Sequence, residues 1–550
     1  MIIDARSLPS RKEIETDICI VGAGTAGITL AREFIGTGFR VCLLESGGQK
    51  ADPGTQSLAW GENVGHPYFS LDTAYARFFG GSTNRWMIDT GGYRLGARMR
   101  PFDPIDFEER DWVPYSGWPF GKTHLDPFYG RAQRILNIEP TSFNISDWEE
   151  NNASKHLAFT DDRVETVIFK VGLRDYFLKT YLPEVSAAPN VTTFQYSNVT
   201  NIETEKSGGN VTRLQVACLN GPVFSVSARL FILATGGIET PRLLLASNDT
   251  QKEGLGNYYD VVGRFFMEHM HFVTGIFVPS VPELFKSTGL YNHFHDVNGV
   301  SIVGKLALGE TVLRGEKLLN YVAELVPRIM LHSSLSEMLY PSIASEGVQS
   351  FRAVGSAVRR GGLPGDTGRH VKNMLTGIDG IAVTAYRNMK RKSLRTLSKK
   401  KVKTFWLASM SEQSPNPESR ITLSAERDNF GRNRAKLDWR LGSIDIQSVI
   451  RSQEILKETI ERSGLGKLYV QFREDSPPQM VTGGWHQMGT TRMHADPKYG
   501  VVDQNCRVHG ISNLYILGPS LFPTGGYANP SLTTVALAVR LADYVKNLLS

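Results

Sequence analysis

The sequence predicts an α/β fold that opens on a βαβ unit, and three observations predict it. An apolar run, Asp17 to Val21, meets a glycine-rich turn, Gly22-Ala23-Gly24-Thr25-Ala26-Gly27. An amphipathic segment follows, with Ile28, Ala31 and Ile35 on one face and Leu30 and Phe34 alongside, and it stops at Gly36 and Gly38. A second apolar run, Val41 to Leu44, ends on Glu45. Runs of this kind suit parallel strands buried on both faces.

The spacing of the turn gives each glycine a task. Gly22 allows the tight turn, Gly24 lets the backbone approach a pyrophosphate, and Gly27 lets helix and strand pack closely. The helix N-terminus then offers free amide donors to phosphate. Glu45 lies 18 residues beyond Gly27, where an acid can accept from ribose hydroxyls. The fingerprint points to a dinucleotide and does not separate FAD from NAD.

A chain of 550 residues exceeds one simple core, so two or three domains are expected. The 41% apolar and 21% charged composition is that of a soluble globular protein. A net charge of +6 accompanied by no recognisable nucleic-acid module excludes nucleic acid as the expected partner. Cys19, Cys42, Cys218 and Cys506 show neither metal-ligand spacing nor a disulfide framework. Cys19 and Cys42 fall in neighbouring strands, as buried thiols. The N-terminus lacks a signal pattern, and the apolar segment Ala536 to Val545 is broken by Arg540 and Asp543. A cytoplasmic protein is therefore expected.

Residues 60–130, rich in Gly, Trp, Arg and Pro, read as ordered loops. Within them Gly80-Gly81-Ser82-Thr83-Asn84-Arg85-Trp86 is a second glycine turn, either an ordinary tight loop or a backbone surface for a flavin ring or phosphate. Alternation returns near 190, with strands at Val191 to Phe194, Val211 to Leu219 and Val223 to Leu233. Ala234-Thr235-Gly236-Gly237 then leads to an apolar helix from Thr240 to Ala246. Residues 276–475 are less regular. They contain a run in which nine of the seventeen positions from Arg387 to Lys403 are cationic, either a solvated face or a contact for a partner.

The last 70 residues carry the densest candidate chemistry. His486 lies among Gly483, Gly484 and Gly489 and precedes Thr490, Thr491 and Arg492. A neutral imidazole there is the natural base for an alcohol proton. Asn529, 43 residues later, precedes a proline at the expected start of a helix. It is either the helix cap or a site residue whose amide binds the substrate oxygen. His269-Met270-His271 and His293-Phe294-His295 pair imidazoles along strands, but no Cys or acid cluster completes a ligand set, so no metal is expected.

These motifs together resemble the glucose–methanol–choline (GMC) oxidoreductases. Thr16 to Gly48 resembles the family's N-terminal FAD motif, Arg77 to Trp86 its flavin loop, and Ala234 to Arg242 its mid-chain signature. Val262 to His269 is similar to the segment entering the substrate domain. His486 to Met493, Gly500 to Asp503, Val508 to Gly510 and Asn513 to Thr534 are similar to its C-terminal signature. The form of the flavin loop, and Glu412-Gln413 with Pro417 to Leu423, resemble the pyranose oxidases and the large subunits of gluconate- and glucoside-type dehydrogenases.

The resemblance implies an FAD-binding Rossmann-like domain from 1–150, 186–275 and 476–550. It also implies a discontinuous α+β substrate-binding domain, on an antiparallel sheet, from 151–185 and 276–475. FAD would meet Gly22, Gly24, Gly27 and Glu45, the Gly80-Gly81-Ser82 turn, Val199 at the adenine, and Gly518 and Pro519 at the ribityl-phosphate end. Asn529, Pro530 and Thr533 would lie beside the flavin's pyrimidine edge. Arg85 stands where some pyranose oxidases carry a histidine bonded to the flavin, so non-covalent FAD is expected.

His486 and Asn529 match the two catalytic positions, and Gln413 is a candidate substrate contact. The implied reaction oxidises a secondary hydroxyl of a sugar or glycoside to a ketone, with hydride passing to flavin N5 and the proton to His486. O2, a quinone or a redox partner would take the electrons, and a small partner subunit is compatible with the basic run. The alternatives are a non-sugar alcohol, a GMC-like lyase without net redox, and an NAD(P) dehydrogenase.

Overall fold

The first βαβ unit forms where its pattern demands. Strand Glu13–Val21 leads through the glycine turn to helix Thr25–Glu33 and then to strand Val41–Leu44. The helix closes at Glu33, with Phe34 as its cap, so Ile35 lies beyond it. The structure is a computed structural model that describes residues 1–89, 94–139, 142–149, 156–281, 289–292, 294–328, 354, 367–376, 404–472 and 481–550.

The unit sits in an eight-stranded sheet. From one edge the order is Ile2–Asp4, Val191–Gln195, Val41–Leu44, Glu13–Val21, Val223–Leu233, Val211–Ala217 and Asn198–Thr204, with Leu514–Ile516 also pairing with Val223–Leu233. Pairing is parallel from the first edge through Val223–Leu233 and onto Leu514–Ile516, and antiparallel for the last two strands of the order. The register sets Leu44 beside Val21, Val21 beside Leu233, and Leu233 beside Ile516. Four parallel strands therefore stop at one level and release Glu45, Gly22, Ala234 and Leu517 side by side. In open α/β sheets, ligands bind beyond such carboxyl ends.

The C-terminal helix Ser531–Leu549 is buried along most of its length and packs against helices Lys122–Ile135 and Thr25–Glu33. Arg131 bridges the three, contacting Glu33 at 2.7 Å and Asp543 at 2.5 Å. Both contacts are partly solvated, so apolar burial rather than charge holds the helices.

A second sheet faces this edge. It is antiparallel throughout and runs Gly466–Val470, Met270–Pro279, Thr404–Ser411, Tyr321–Arg328, Val300–Leu308, Val164–Leu173, Leu95–Met99 and Ile88–Asp89. Strand His295–Val297 adds to Val300–Leu308, which is buried on both faces. A small third sheet joins Arg420–Arg427, Asn433–Asp438 and Glu62–Asn63.

Several expectations change. Residues 60–130 are more than loops: they include helix Lys122–Ile135 and strand Leu95–Met99. Pro127 and Gly130 disguise the helix, and the strand is too short to show a period. Strand Val211–Ala217 stops before Leu219, and the helix expected from Thr240 begins at Gly236. Strands Ile88–Asp89 and Leu95–Met99 lie on the antiparallel sheet, and Met270–Pro279 runs across residue 275. The basic run 387–403 and His293 lie outside the described residues. All four cysteines are buried and unpaired, with Cys19 directly beside Cys42. No helix among the described residues is long and apolar enough to cross a membrane.

The packing of the first turn is testable. A Cβ on Gly27 would stand 1.9 Å from the Gly22 carbonyl oxygen, whereas one on Gly38 would meet nothing within 4 Å. Gly27→Ala should lose about 3 kcal/mol, the upper range for overpacking, in urea denaturation followed by tryptophan fluorescence. Gly38→Ala should unfold with the parent.

Candidate functional site

The level strand ends leave room for a ligand, and the antiparallel sheet roofs that room. The result is a cavity of about 770 Å³. Gly22, Gly24, Glu45 and Val199 line one end, Gly81, Ser82, Gly518 and Pro519 the middle, and His486, Asn529, Lys305 and Glu324 the other end. The two ends of the chain thus share one space.

The cradle has a physical reason for each small residue. Gly22 has φ +101°, and a Cβ there would meet the Ala234 carbonyl oxygen at 2.6 Å. Gly81 has φ +48°, and its Cβ would stand 2.9 Å from the Gly24 Cα, so the two glycine turns touch. Gly518, at φ +141°, has nothing within 4 Å of its Cβ direction. Gly80 does not line the cavity; its amide donates to the Ala23 carbonyl at 2.8 Å and holds the two turns together. Gly27 likewise packs behind the turn. Buried Glu45 accepts from the amides of Ala23 (2.9 Å) and Gly47 (3.0 Å) and from the Ser46 hydroxyl (3.1 Å), and burial raises its pKa. With about four acceptor positions on a carboxylate, Glu45 spends most of its capacity on shaping the turn.

At the other end, hydrogen bonding sets the state of His486. The His269 Nε2 lies 3.1 Å from the Gly525 carbonyl, which can only accept, so Nε2 carries the proton. The Nδ1 of neutral His269 is then an acceptor, and it lies 2.8 Å from the Nδ1 of His486. His486 Nδ1 must therefore donate, which leaves its Nε2 unprotonated and an acceptor. The Asn529 amide nitrogen sits 3.1 Å from that Nε2, and the Asn529 Oδ1 is buried with no hydrogen-bond partner among the described residues. Burial holds His486 well below the usual histidine pKa, and His269, His271 and Lys305 push it the same way. Burial lowers His269 to about 4. The arrangement is a neutral imidazole on the cavity wall whose unprotonated Nε2 accepts from the Asn529 amide.

Glu268 places this imidazole. Its carboxylate accepts the amides of Gly484 (2.9 Å) and His486 (2.9 and 3.0 Å) and the hydroxyl of Tyr68, while burial raises it to about 7. Between those amides Trp485 adopts φ +61° and stacks on Phe69 with centroids 4.3 Å apart. The polar run after His486 is structural. Thr490 donates to the Gly237 carbonyl, Thr491 to the Ser520 hydroxyl and Arg492 to the Tyr115 carbonyl.

Three expected residues are placed differently. Asn529 is not the helix cap: the helix spans Ser531–Leu549 with Pro530 before it, and the Asn529 side chain turns to His486. Thr533 points away, its hydroxyl 2.8 Å from that of Tyr129, and Thr534 lines the cavity instead. Gln413 lies outside the cavity lining. Its oxygen accepts from the Glu268 amide (3.0 Å) and Trp439 Nε1 (2.9 Å), and its nitrogen donates to the Arg440 carbonyl (2.8 Å). It braces Glu268 and offers no substrate contact.

Sequence reasoning missed Glu268, the role of His269, and the cavity-facing Arg98, Lys305 and Glu324. The His269-Met270-His271 pair is visible in the sequence, where its spacing suggests only a metal site. Both rings instead flank His486, at centroid distances of 4.9 and 6.1 Å. No group of three metal-ligating side chains occurs among the described residues.

The cavity wall fits a dinucleotide cofactor. The Nε atoms of Arg77 and Arg85 and the Oδ1 of Asn529 are buried without hydrogen-bond partners among the described residues, and all three residues line the cavity. Orphaned polar atoms of this kind are rare unless a ligand completes them.

Residues 415–538 match the family described as GMC oxidoreductase. The chain is similar to paromamine 6'-oxidase of Streptomyces fradiae, at 22% identity over 96% of this chain and 91% of that protein. It is similar to C-glycoside 3-oxidase of Microbacterium trichothecenolyticum, at 33% identity over 23% of this chain and 24% of that protein. Among solved structures, an FAD-dependent oxidoreductase from Chaetomium thermophilum superposes with a TM-score of 0.52 at 17% identity, covering 97% of this chain and 99% of its own.

Glu268→Ala should leave two backbone amides and the Tyr68 hydroxyl without an acceptor. A loss of about 3 kcal/mol or more is expected, measured as a shift in the urea midpoint, and Glu268→Gln should lose less.

Proposed function

We propose, from the premise that this chain is a GMC oxidoreductase acting on CH–OH donors, that it oxidises a secondary hydroxyl of a sugar or glycoside to a ketone. In this reading His486 takes the hydroxyl proton and Asn529 steers the oxygen. The observation that carries the reading is the unprotonated His486 Nε2, which accepts from the Asn529 amide at 3.1 Å, on the wall of the cavity that the glycine cradle also lines.

A substrate hydroxyl entering between these side chains donates to Nε2 and accepts from the Asn529 amide. The proton moves to Nε2, and the relay through His269 to the Gly525 carbonyl holds the tautomer that makes this possible. FAD, when bound by the glycine cradle, Ser82, Gly518 and Pro519, supplies the hydride acceptor. Arg85 in place of a nucleophilic side chain supports non-covalent binding. Relatives named as paromamine 6'-oxidase, pyranose 2-oxidase and C-glycoside 3-oxidase support a sugar or glycoside as substrate and O2 as an electron acceptor.

The test is anaerobic bleaching of the flavin by a panel of mono-, di- and aryl glycosides and simple alcohols. His486→Ala should stay yellow yet reduce its flavin about 10²- to 10⁴-fold more slowly; reduction at the parent rate would remove the base assignment. A panel in which no sugar or glycoside bleaches the parent removes the substrate class.

The pH profile follows from the depressed pKa of His486. A base held well below 6.5 stays neutral as pH falls through 6.5, so kcat/KM should be flat there and drop only at lower pH, where Nε2 takes a proton. His269 is a positioning residue that also pushes His486 down. His269→Ala should slow the reaction about tenfold or more, and His269→Asn, whose side-chain oxygen can still accept from His486 Nδ1, should recover part of the rate, which loss of packing alone would not allow.

A further inference from the structure

The roof of the cavity is the least accounted-for part of the site. On the antiparallel sheet, Val303 and Lys305 share one face of their strand, Glu324 and Val326 share one on the next, and Ala408 and Met410 on the one after. All of them line the cavity. Neighbouring pairs Leu306–Ala323 and Ala307–Val322 set the register, which continues to bring Lys305 opposite Glu324. Arg98 joins from strand Leu95–Met99, its Nη2 2.7 Å from a Glu324 oxygen.

The charges do not balance. Glu324 is taken by Arg98. Lys305 is only 3% exposed, and its Nζ has a ring contact with Phe169 at 4.7 Å and no hydrogen-bond partner among the described residues. The charged groups acting on it are Glu324 and Arg98 alone, so two cations face one carboxylate. A buried ammonium with no hydrogen-bonded anion or acceptor is costly, and its burial lowers it to about 7. Its charge also reaches His269, His271 and His486, so it belongs to the reacting end of the cavity rather than to the cradle.

We propose that Lys305, backed by the Arg98–Glu324 pair, is a subsite for a single carboxylate on the substrate, and that the preferred substrate is a sugar acid of the uronate or aldonate class. The inference rests on the reading of this cavity as an alcohol-oxidising site, and it narrows that reading. The acid group supplies the missing counter-ion of Lys305 while a ring hydroxyl is presented to His486 and Asn529. Neutral sugars fill the same space and leave Lys305 uncompensated.

The experiment compares D-glucuronate with D-glucose and D-gluconate with D-glucitol on the flavin-loaded protein. Binding is read anaerobically by calorimetry and flavin bleaching is followed separately. The parent should bind the acid of at least one pair about 10- to 100-fold more tightly than its neutral partner, the range of one charge-assisted contact. Lys305→Gln should lose that preference, read as the ratio of acid to neutral affinity within each pair. Lys305→Arg should restore part of it, which separates charge from folding. Equal binding of acid and neutral partner in both pairs by the parent, or an undiminished preference in Lys305→Gln, overturns the subsite. Neutral sugars that bleach the flavin without any acid preference would sink the subsite and leave alcohol oxidation standing. Acids that bind through Lys305 and never bleach the flavin would do the reverse.

Discussion

The site depends on one buried carboxylate. Glu268 sits at the entry to strand Met270–Pro279 and gathers the amides of Gly484 and His486 with the hydroxyl of Tyr68. Three segments remote in sequence are thereby fixed to one point. Gln413 and Trp439 brace the same point from behind. Because the carboxylate is fully buried, each donor it collects is worth more than a surface contact, and each one lost leaves a charge exposed to an apolar interior. The backbone pays for the arrangement at Trp485, which is held at positive φ between the two anchored amides.

A second constraint is the common level at which the parallel strands end. Leu44, Val21, Leu233 and Ile516 stand abreast, so the turn at Gly22, the turn at Ala234 and the turn at Gly518 open into one space. Their close approach is possible only because the side chains are absent: Gly22 lies against the Ala234 carbonyl and Gly81 against Gly24. The C-terminal helix closes the arrangement. Leu514–Ile516 enters the sheet beside the mid-chain strand, and the chain leaves it past Pro519 and Asn529 into Ser531–Leu549, which carries Asn529 to the side of the cavity where His486 waits.

Electrostatics complete the picture without a metal-type cluster among the described residues. Three imidazoles crowd one end of the cavity, and burial keeps them neutral. Neutral rings can be ordered by hydrogen bonds alone, and a single backbone carbonyl, that of Gly525, orders the sequence of protons through His269 to His486. The acceptor lone pair that results is a property of the chain of contacts and not of His486 by itself.

Much of this was legible from the residues. The Gly22-Ala23-Gly24 turn, its flanking strands, the Glu45 terminus and the His486 and Asn529 motifs are local patterns, and local patterns record backbone conformation and close approach directly. The cavity-facing residues of the roof were not legible. Arg98 and Lys305 look like ordinary surface cations in strands of weak period, Glu268 like one acid among many, and Gln413 like a candidate contact. Whether a charge meets solvent, a partner or an empty cavity depends on which strands become neighbours. That pairing is set by long-range register, so the sequence by itself determined the glycine cradle and the turns that hold His486 and Asn529, and only the tertiary structure decided what stands around them.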